Sequence, residues 1–442
     1  MLSINVGAGR HHSVILSCVA AVAFVLVTSS PGIAQDPKAQ LPPDFRVPRP
    51  IADFMTIEDE RTDDAAIADW NKKVRPYLAI ALNAKTLQDV IPGTPLTAQK
   101  IIVETCRIRV RKLSLKSLRG QLKTTRVEVY RDVHQTARVK DVREFALKTI
   151  VEEANGLMKG HLVVRLQAVQ LLSELQITER EEKGAKITPA YMYADSLPAL
   201  GKILADKTQP EAVHILAAAG IERVLRESNL PVASPPSKLR IEAAEALIAA
   251  LKVPGLSSWY QHVLVSALPA VGLPTMPSPS GAQEPIIAKT LGDIVADKKR
   301  PLSVRCKAVL ALGKCSLPPT GLDLSLLAKS INELTYEVAM AYNSRKVTPV
   351  SGALLIQDIY GGLGGDKQLG AAGILSSPVG RDPGLQEAYK AVIPITKHAL
   401  TLVNLQSPQI VLLRKIDLSP IELLIGPGAV KALTPPPAAP VR

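Results

Sequence analysis

Apolar residues recur along most of the chain in steps of three and four, broken by Pro and Gly, which is the period of amphipathic helices. Leu197, Leu200 and Leu204 mark one helix, ending at Asp206 before the turn Thr208-Gln209-Pro210. Ile286, Ile287, Leu291, Ile294 and Val295 mark another that runs to Asp297, and Pro301 then opens the next helix at its first position. Ala65, Ile67, Ala68 and Trp70 open an earlier stretch, with Thr62 as its cap and Asp63 and Asp64 in its first turn. Strand-like alternation is confined to Arg107-Ile108-Arg109-Val110-Arg111. A helix over 351–360 is expected to end in a flexible glycine-rich loop, 361–373.

The helical segments repeat. Arg165-x-x-Ala168-x-x-x-Leu172-x-x-Leu175 recurs as Arg305-x-x-Ala308-x-x-x-Leu312-x-x-Cys315. His214, Ala217, Ile221 and Val224 fit the same template with His in the basic place, and Tyr260, Val263, Ala267 and Ala270 fit it loosely. The starts lie 49, 46 and 45 residues apart. Arg240, Ala243 and Leu247 match out of phase, as the first helix of a pair. The template positions share one helical face, and the small Ala lets a neighbouring helix approach. Helix pairs repeating every ~40–47 residues are the period of HEAT and armadillo arrays. With Val164-Arg165 and Val304-Arg305 each opening a second helix, the chain resembles the HEAT-repeat family over about 140–320. The resemblance implies an all-α fold, an α-α superhelix of stacked antiparallel helix pairs with a concave face for protein partners. Arg165, Ala168, Leu172, Ala217, Arg305, Ala308 and Leu312 are then structural signature residues. Physical reasoning supports stacking independently, since one pair cannot bury its apolar stripe alone.

Composition narrows the class. At 442 residues and 47% hydrophobic, with 4 Cys, the chain is neither disordered nor a disulfide scaffold. It is also too long for one compact core, since such cores stop growing near ~250–300 residues. Residues 1–34 read as a secretory signal: Arg10, an apolar run from Val14 to Val27, then Gly32-Ile33-Ala34 before Gln35. That run is short of the roughly 20 residues of a spanning helix. An uncleaved anchor is the rival, and a lipoprotein through Cys18 a weaker one. No later run is long enough to span a membrane, so an exported protein, periplasmic or extracellular, is expected. A proline-rich linker (35–56) follows, then an N-terminal helical region with a basic helix (57–139), the HEAT-like repeats (140–320) and a C-terminal helical region (321–425). A proline-rich, disordered tail (426–442) closes the chain.

Charge supplies the local candidate. The net charge is +13, and Arg107 to Arg126 holds eight Lys or Arg with no acid. Lys112, Lys116, Arg119, Lys123 and Arg126 follow in steps of 4, 3, 4 and 3, one face of a helix, and form the candidate polyanion-binding site. A solvated face, or one neutralised by the acidic run 58–64, is the plainer alternative. With 3% aromatics, stacking platforms for bases are scarce. No catalytic motif, metal-ligand spacing or cofactor fingerprint stands out: the histidines lack i, i+3 or i+4 partners, and the acidic run lacks the turn of a calcium loop. Cys106, Cys306 and Cys315 are odd in number and fit buried hydrophobes. The expected function is a non-catalytic exported scaffold that binds a protein or envelope component, with no cofactor. The alternative is a polyanion- or nucleic-acid-binding repeat protein, possibly an enzyme like the helical-repeat DNA glycosylases. That would need a carboxylate and an aromatic converging on the basic face.

Overall fold

The computed structural model describes residues 72, 74–178, 181–183, 186–188, 191–228, 238–404 and 412–434. The signal-like segment, the linker, the capped stretch 62–70 with its acidic run, and residues 435–442 lie outside them. Among the described residues the chain is all-α apart from three short antiparallel strand pairs. A short helix α1 (Leu78–Leu82) precedes hairpins of α2 (Ala98–Arg111) with α3 (Leu122–Thr136) and α4 (Lys140–Gly156) with α5 (Leu162–Glu174). Next come α6 (Leu197–Ala205) with α7 (Glu211–Glu227), α8 (Lys238–Leu251) with α9 (Ser258–Ala267), and α10 (Ile286–Ala296) with α11 (Leu302–Leu312). The last hairpin is α12 (Leu324–Asn343) with α13 (Pro349–Gly364), followed by α14 (Pro383–Asn404) and α15 (Lys415–Leu433). The strand pairs project from connections between hairpins: Gln176–Thr178 with Tyr191–Met192, Glu181–Lys183 with Lys186–Thr188, and Met276–Pro277 with Gln283–Glu284.

Local chemistry sets the helix starts. Thr97, Ser257, Asp323 and Thr348 each cap a helix by accepting a backbone N–H with the side-chain oxygen. Pro301 sits one place earlier than expected, at the N-cap of α11. Arg107 to Arg111, which alternate like a strand, belong to α2, where Cys106, Arg109 and Val110 are buried in helical period.

Every template start falls on a second helix: Arg165 on α5, His214 on α7, Tyr260 on α9 and Arg305 on α11. Arg240 lies on the first helix α8. The second helices pack in series, α5 on α7, α7 on α9, α9 on α11 and α11 on α13. First helices pack likewise, α6 on α8 and α10 on α12. Ala168, Leu172, Ala217, Ala308 and Leu312 are fully buried between them. The buried apolar residues join into one cluster from Leu78 to Ile421, because each hairpin shares its stripe with the next.

The basic template position has a definable task. Arg305 donates from Nε to the Val295 carbonyl in the last turn of α10 (2.9 Å) and from Nη1 to Glu337 of α12 (2.6 Å). Arg165 donates to the carbonyl of Gly160 (2.7 Å) and to Gln209 in the next hairpin (3.2 Å). His214 Nε2 lies 2.9 Å from the Asp206 carbonyl at the end of α6. Arg305 thereby satisfies a carbonyl left orphaned at the end of α10, while Arg165 and His214 reach carbonyls of the connection that follows their first helix. His replaces Arg at 214 without losing that role, and its ring stacks on Tyr260 of the following second helix at 5.9 Å. Polar contacts across the fold recur at separations of 44 (Arg165–Gln209), 46 (Arg107–Glu153, Glu211–Ser257) and 48 (Arg126–Glu174) residues. These match the spacing of the sequence template.

Two C-terminal expectations are corrected. Gly361, Gly362 and Gly364 lie inside α13, not in a flexible loop. Gly362 abuts the Val309 and Leu310 backbone of α11, and Gly313 faces Gly362 in return, so side chains are excluded where the helices touch. The expected tail from 426 onward is helical as far as Leu433, although Gly426 (φ 79°) kinks it.

Candidate functional site

The basic segment is not a helix face. α2 ends at Arg111, two 3-10 turns (Lys112–Ser114 and Lys116–Gln121) intervene, and α3 starts at Leu122. Leu113 and Leu115 turn inward and are buried, while Ser114 donates its hydroxyl to the Arg111 carbonyl (2.6 Å), an alternative to continuing the helix. The helical spacing of Lys112, Lys116, Arg119, Lys123 and Arg126 therefore has no single helix to act on. Arg126 is buried and bonded to Glu174 of α5 (2.7 Å) and to Gln167. Arg109 is buried between the Glu128 carbonyl (3.0 Å) and Asp132. Arg107 pairs with Glu104 (3.1 Å) and Glu153 (3.4 Å). Lys112 is half-buried, and that burial lowers its ammonium pKa. Arg111, Arg119 and Lys123 face solvent. Three of the eight basic residues are thus structural bolts, matched by acids and amides elsewhere in sequence.

A second constellation spans the successive second helices. Glu222 and Arg226 come from the C-terminal half of α7, His262 from α9, Lys307 from α11, Lys314 from just past its end, and Asp358 from α13. Lys307 Nζ lies 3.3 Å from the Asp358 carboxylate, and Arg226 donates to Glu222 at 3.0 Å. Lys314 forms no ion pair among the described residues, yet Lys307, Glu222, Asp358 and Arg226 all act on it electrostatically. Groups of α7 and α11 meet this way across the short α9 between them. Burial pushes the Glu222 and Asp358 carboxyls up and pulls the Lys314 ammonium and His262 imidazole down. Arg226 also pairs with Glu227 (3.3 Å), so Lys314 is the cation of this group that has no ion pair among the described residues. Such a surface offers a second molecule two prepaid ion pairs and one uncommitted ammonium. Lys307 and Lys314, seven apart, are the trace it leaves in sequence; its other members come from segments too distant to associate by inspection.

Other features lie apart from this surface. A hollow of about 780 Å³ is bordered by Ile80, Lys85, Asp89 and Pro92, and one of about 500 Å³ by Leu423, Gly426, Pro427 and Val430. Burial pushes the Cys106 and Cys315 thiols up to about 12 and Cys306 in the same direction, which keeps all three unreactive. Among the described residues no three of His, Cys, Asp and Glu group to hold a metal ion, and no helix is long and apolar enough to cross a membrane. No family model, curated protein or solved structure matches the chain.

Proposed function

We propose that the chain is a non-catalytic, HEAT-like superhelical scaffold that holds a protein partner against the face formed by its second helices. The carrying observation is the constellation of Glu222, Arg226, His262, Lys307, Lys314 and Asp358, drawn from four consecutive second helices onto one surface. Lys314 is exposed and without an ion pair among the described residues, so a carboxylate of a partner could pair with it beside the two ion pairs already formed. The recurring contacts near one repeat length support a superhelical stack. The signal-like residues 1–34 support export, with a mature chain starting at Gln35, and a partner in the periplasm or outside the cell.

Purification of the full chain from the envelope of its native host, with co-eluting proteins identified, tests the scaffold. The variant Lys307→Glu/Lys314→Glu should lose a partner that wild type retains. Lys289→Glu/Lys329→Glu, an equal charge change on first helices, should keep it. Equal retention by both variants would refute the second-helix face. N-terminal sequencing of the same material tests export, and recovery of intact Met1 would sink it.

A further inference from the structure

Within each hairpin the connection is short and lies at one edge of the fold: 112–121, 157–161, 206–210, 252–257, 297–301 and 344–348. Four of them are linked in series. Gln209 donates to the Met158 carbonyl (3.3 Å), Glu211 at the start of α7 accepts from the Ser257 N–H (3.3 Å), and Arg300 donates to the Leu251 carbonyl (3.0 Å). These six connections contain eleven Lys or Arg and two Asp. Connections between hairpins, 137–139, 175–196, 228–237, 268–285, 313–323 and 365–382, contain seven against eight acids. The positive charge is therefore sorted onto one edge, and the basic segment of the sequence is its first rung.

Both acids on this edge are occupied locally. Asp206 accepts from Thr208 Oγ1 (2.7 Å) and Gln209 (2.9 Å), and Asp297 pairs with Arg300 (3.4 Å). A lysine recurs in each of five turns: Lys159, Lys207, Lys252, Lys299 and Lys346, at steps of 45 to 48 residues, and Lys298, the second lysine of its turn, pairs with Glu333 (2.8 Å). All five are exposed, and none forms an ion pair among the described residues. Turn lysines are ordinarily just solvated, but solvation does not select one edge or so regular a step. Val253 and Trp259, at 46% and 56% exposure, stand at the middle of the row.

We propose that this edge binds an extended carboxylated polysaccharide, its carboxylates pairing with the five lysines and a sugar ring stacking on Trp259. Packed helices lie ~8–10 Å apart, so the lysines repeat at about that interval. A nucleic acid duplex carries a phosphate on each strand every ~3.4 Å of axis, far denser than the row can match, and a single strand would want more than one aromatic platform. A polymer with one carboxylate on every second sugar is the sparser partner the row fits.

Retention of the full chain on immobilised hyaluronate, eluted by salt, tests this, with immobilised single-stranded DNA as the second matrix. Wild type should be held by hyaluronate at low salt and released steeply as salt rises, through screening and counter-ion return. K159Q/K207Q/K252Q/K299Q/K346Q should elute at clearly lower salt and with a shallower dependence. K140Q/K148Q/K238Q/K289Q/K329Q, five exposed lysines away from this edge, makes the same charge change and should elute near wild type. Trp259→Ala should weaken retention without altering the salt dependence. Equal losses from the two quintuple variants, or no retention of wild type at low salt, would overturn the proposal. So would tighter retention on single-stranded DNA through the same five lysines.

Discussion

Replacing Gly362 by Ala places a methyl group where α11 and α13 have backbone against backbone. That methyl would stand 2.6 Å from the Val309 carbonyl carbon and 2.8 Å from the Leu310 nitrogen, and would also meet the Val309 oxygen. No flexible side chain can yield there, so the helices must separate. Overpacking of this kind costs about 1–3 kcal/mol. The substitution also removes the helix penalty of glycine, worth about 1 kcal/mol in the stabilising direction. Because rigid backbone faces the methyl group, the overpacking should win, leaving a net loss of up to about 2 kcal/mol. Gly156, in α4, has nothing within 4 Å of its would-be Cβ. Gly156→Ala should therefore stabilise, by about 0.4–1 kcal/mol, by restricting the unfolded chain. Urea denaturation followed by circular dichroism gives both midpoints, and an unchanged slope licenses reading them as stability. A Gly362→Ala midpoint at or above wild type, with Gly156→Ala raised as expected, would show that the helices do not meet at Gly362. The glycine run would then be the loop its composition suggests.

Three further outcomes follow from the same contacts. Ala308→Leu, at a fully buried template position, should lower the urea midpoint by the equivalent of about 1–3 kcal/mol; a midpoint equal to wild type would refute the repeat register. Arg305→Met should cost about 3–5 kcal/mol by stranding Glu337, whose Oε1 is already buried without a partner, and Arg305→Met/Glu337→Leu should recover most of it. Additive losses in that double variant would show the pair is not coupled. The Arg414 hydrogen bond, with His398 also facing the carboxylate, holds Asp417 below its usual 3.8. Its stabilisation is thus present above that value and lost as pH falls through the lower folded pKa. Asp417→Asn should be less stable near neutrality and flatter with acid, judged by melting temperature between about pH 6 and about pH 3; parallel curves would contradict it.

Periodicity alone marked α6, α7, α10 and α11 and their pairing, because a stripe at offsets of three and four is a local property of a helix with one buried side. The out-of-phase match at Arg240 was legible for the same reason, as was the structural nature of Ala168, Leu172, Ala308 and Leu312. What the tertiary structure decided depends on neighbours a repeat or more away. Arg126 looked like one of a surface row until Glu174, forty-eight residues on, was found against it. Gly361 to Gly364 looked like a loop because glycine disfavours helices, and only the approach of α11 at Gly362 and of Tyr389 at Gly364 makes the missing side chains an advantage. The convergence of Glu222, Lys314 and Asp358, and the row of turn lysines, likewise exist only once hairpins stack. Charge along a chain records how many side chains carry it; which of them meet an acid, meet each other or face water is set by packing between repeats.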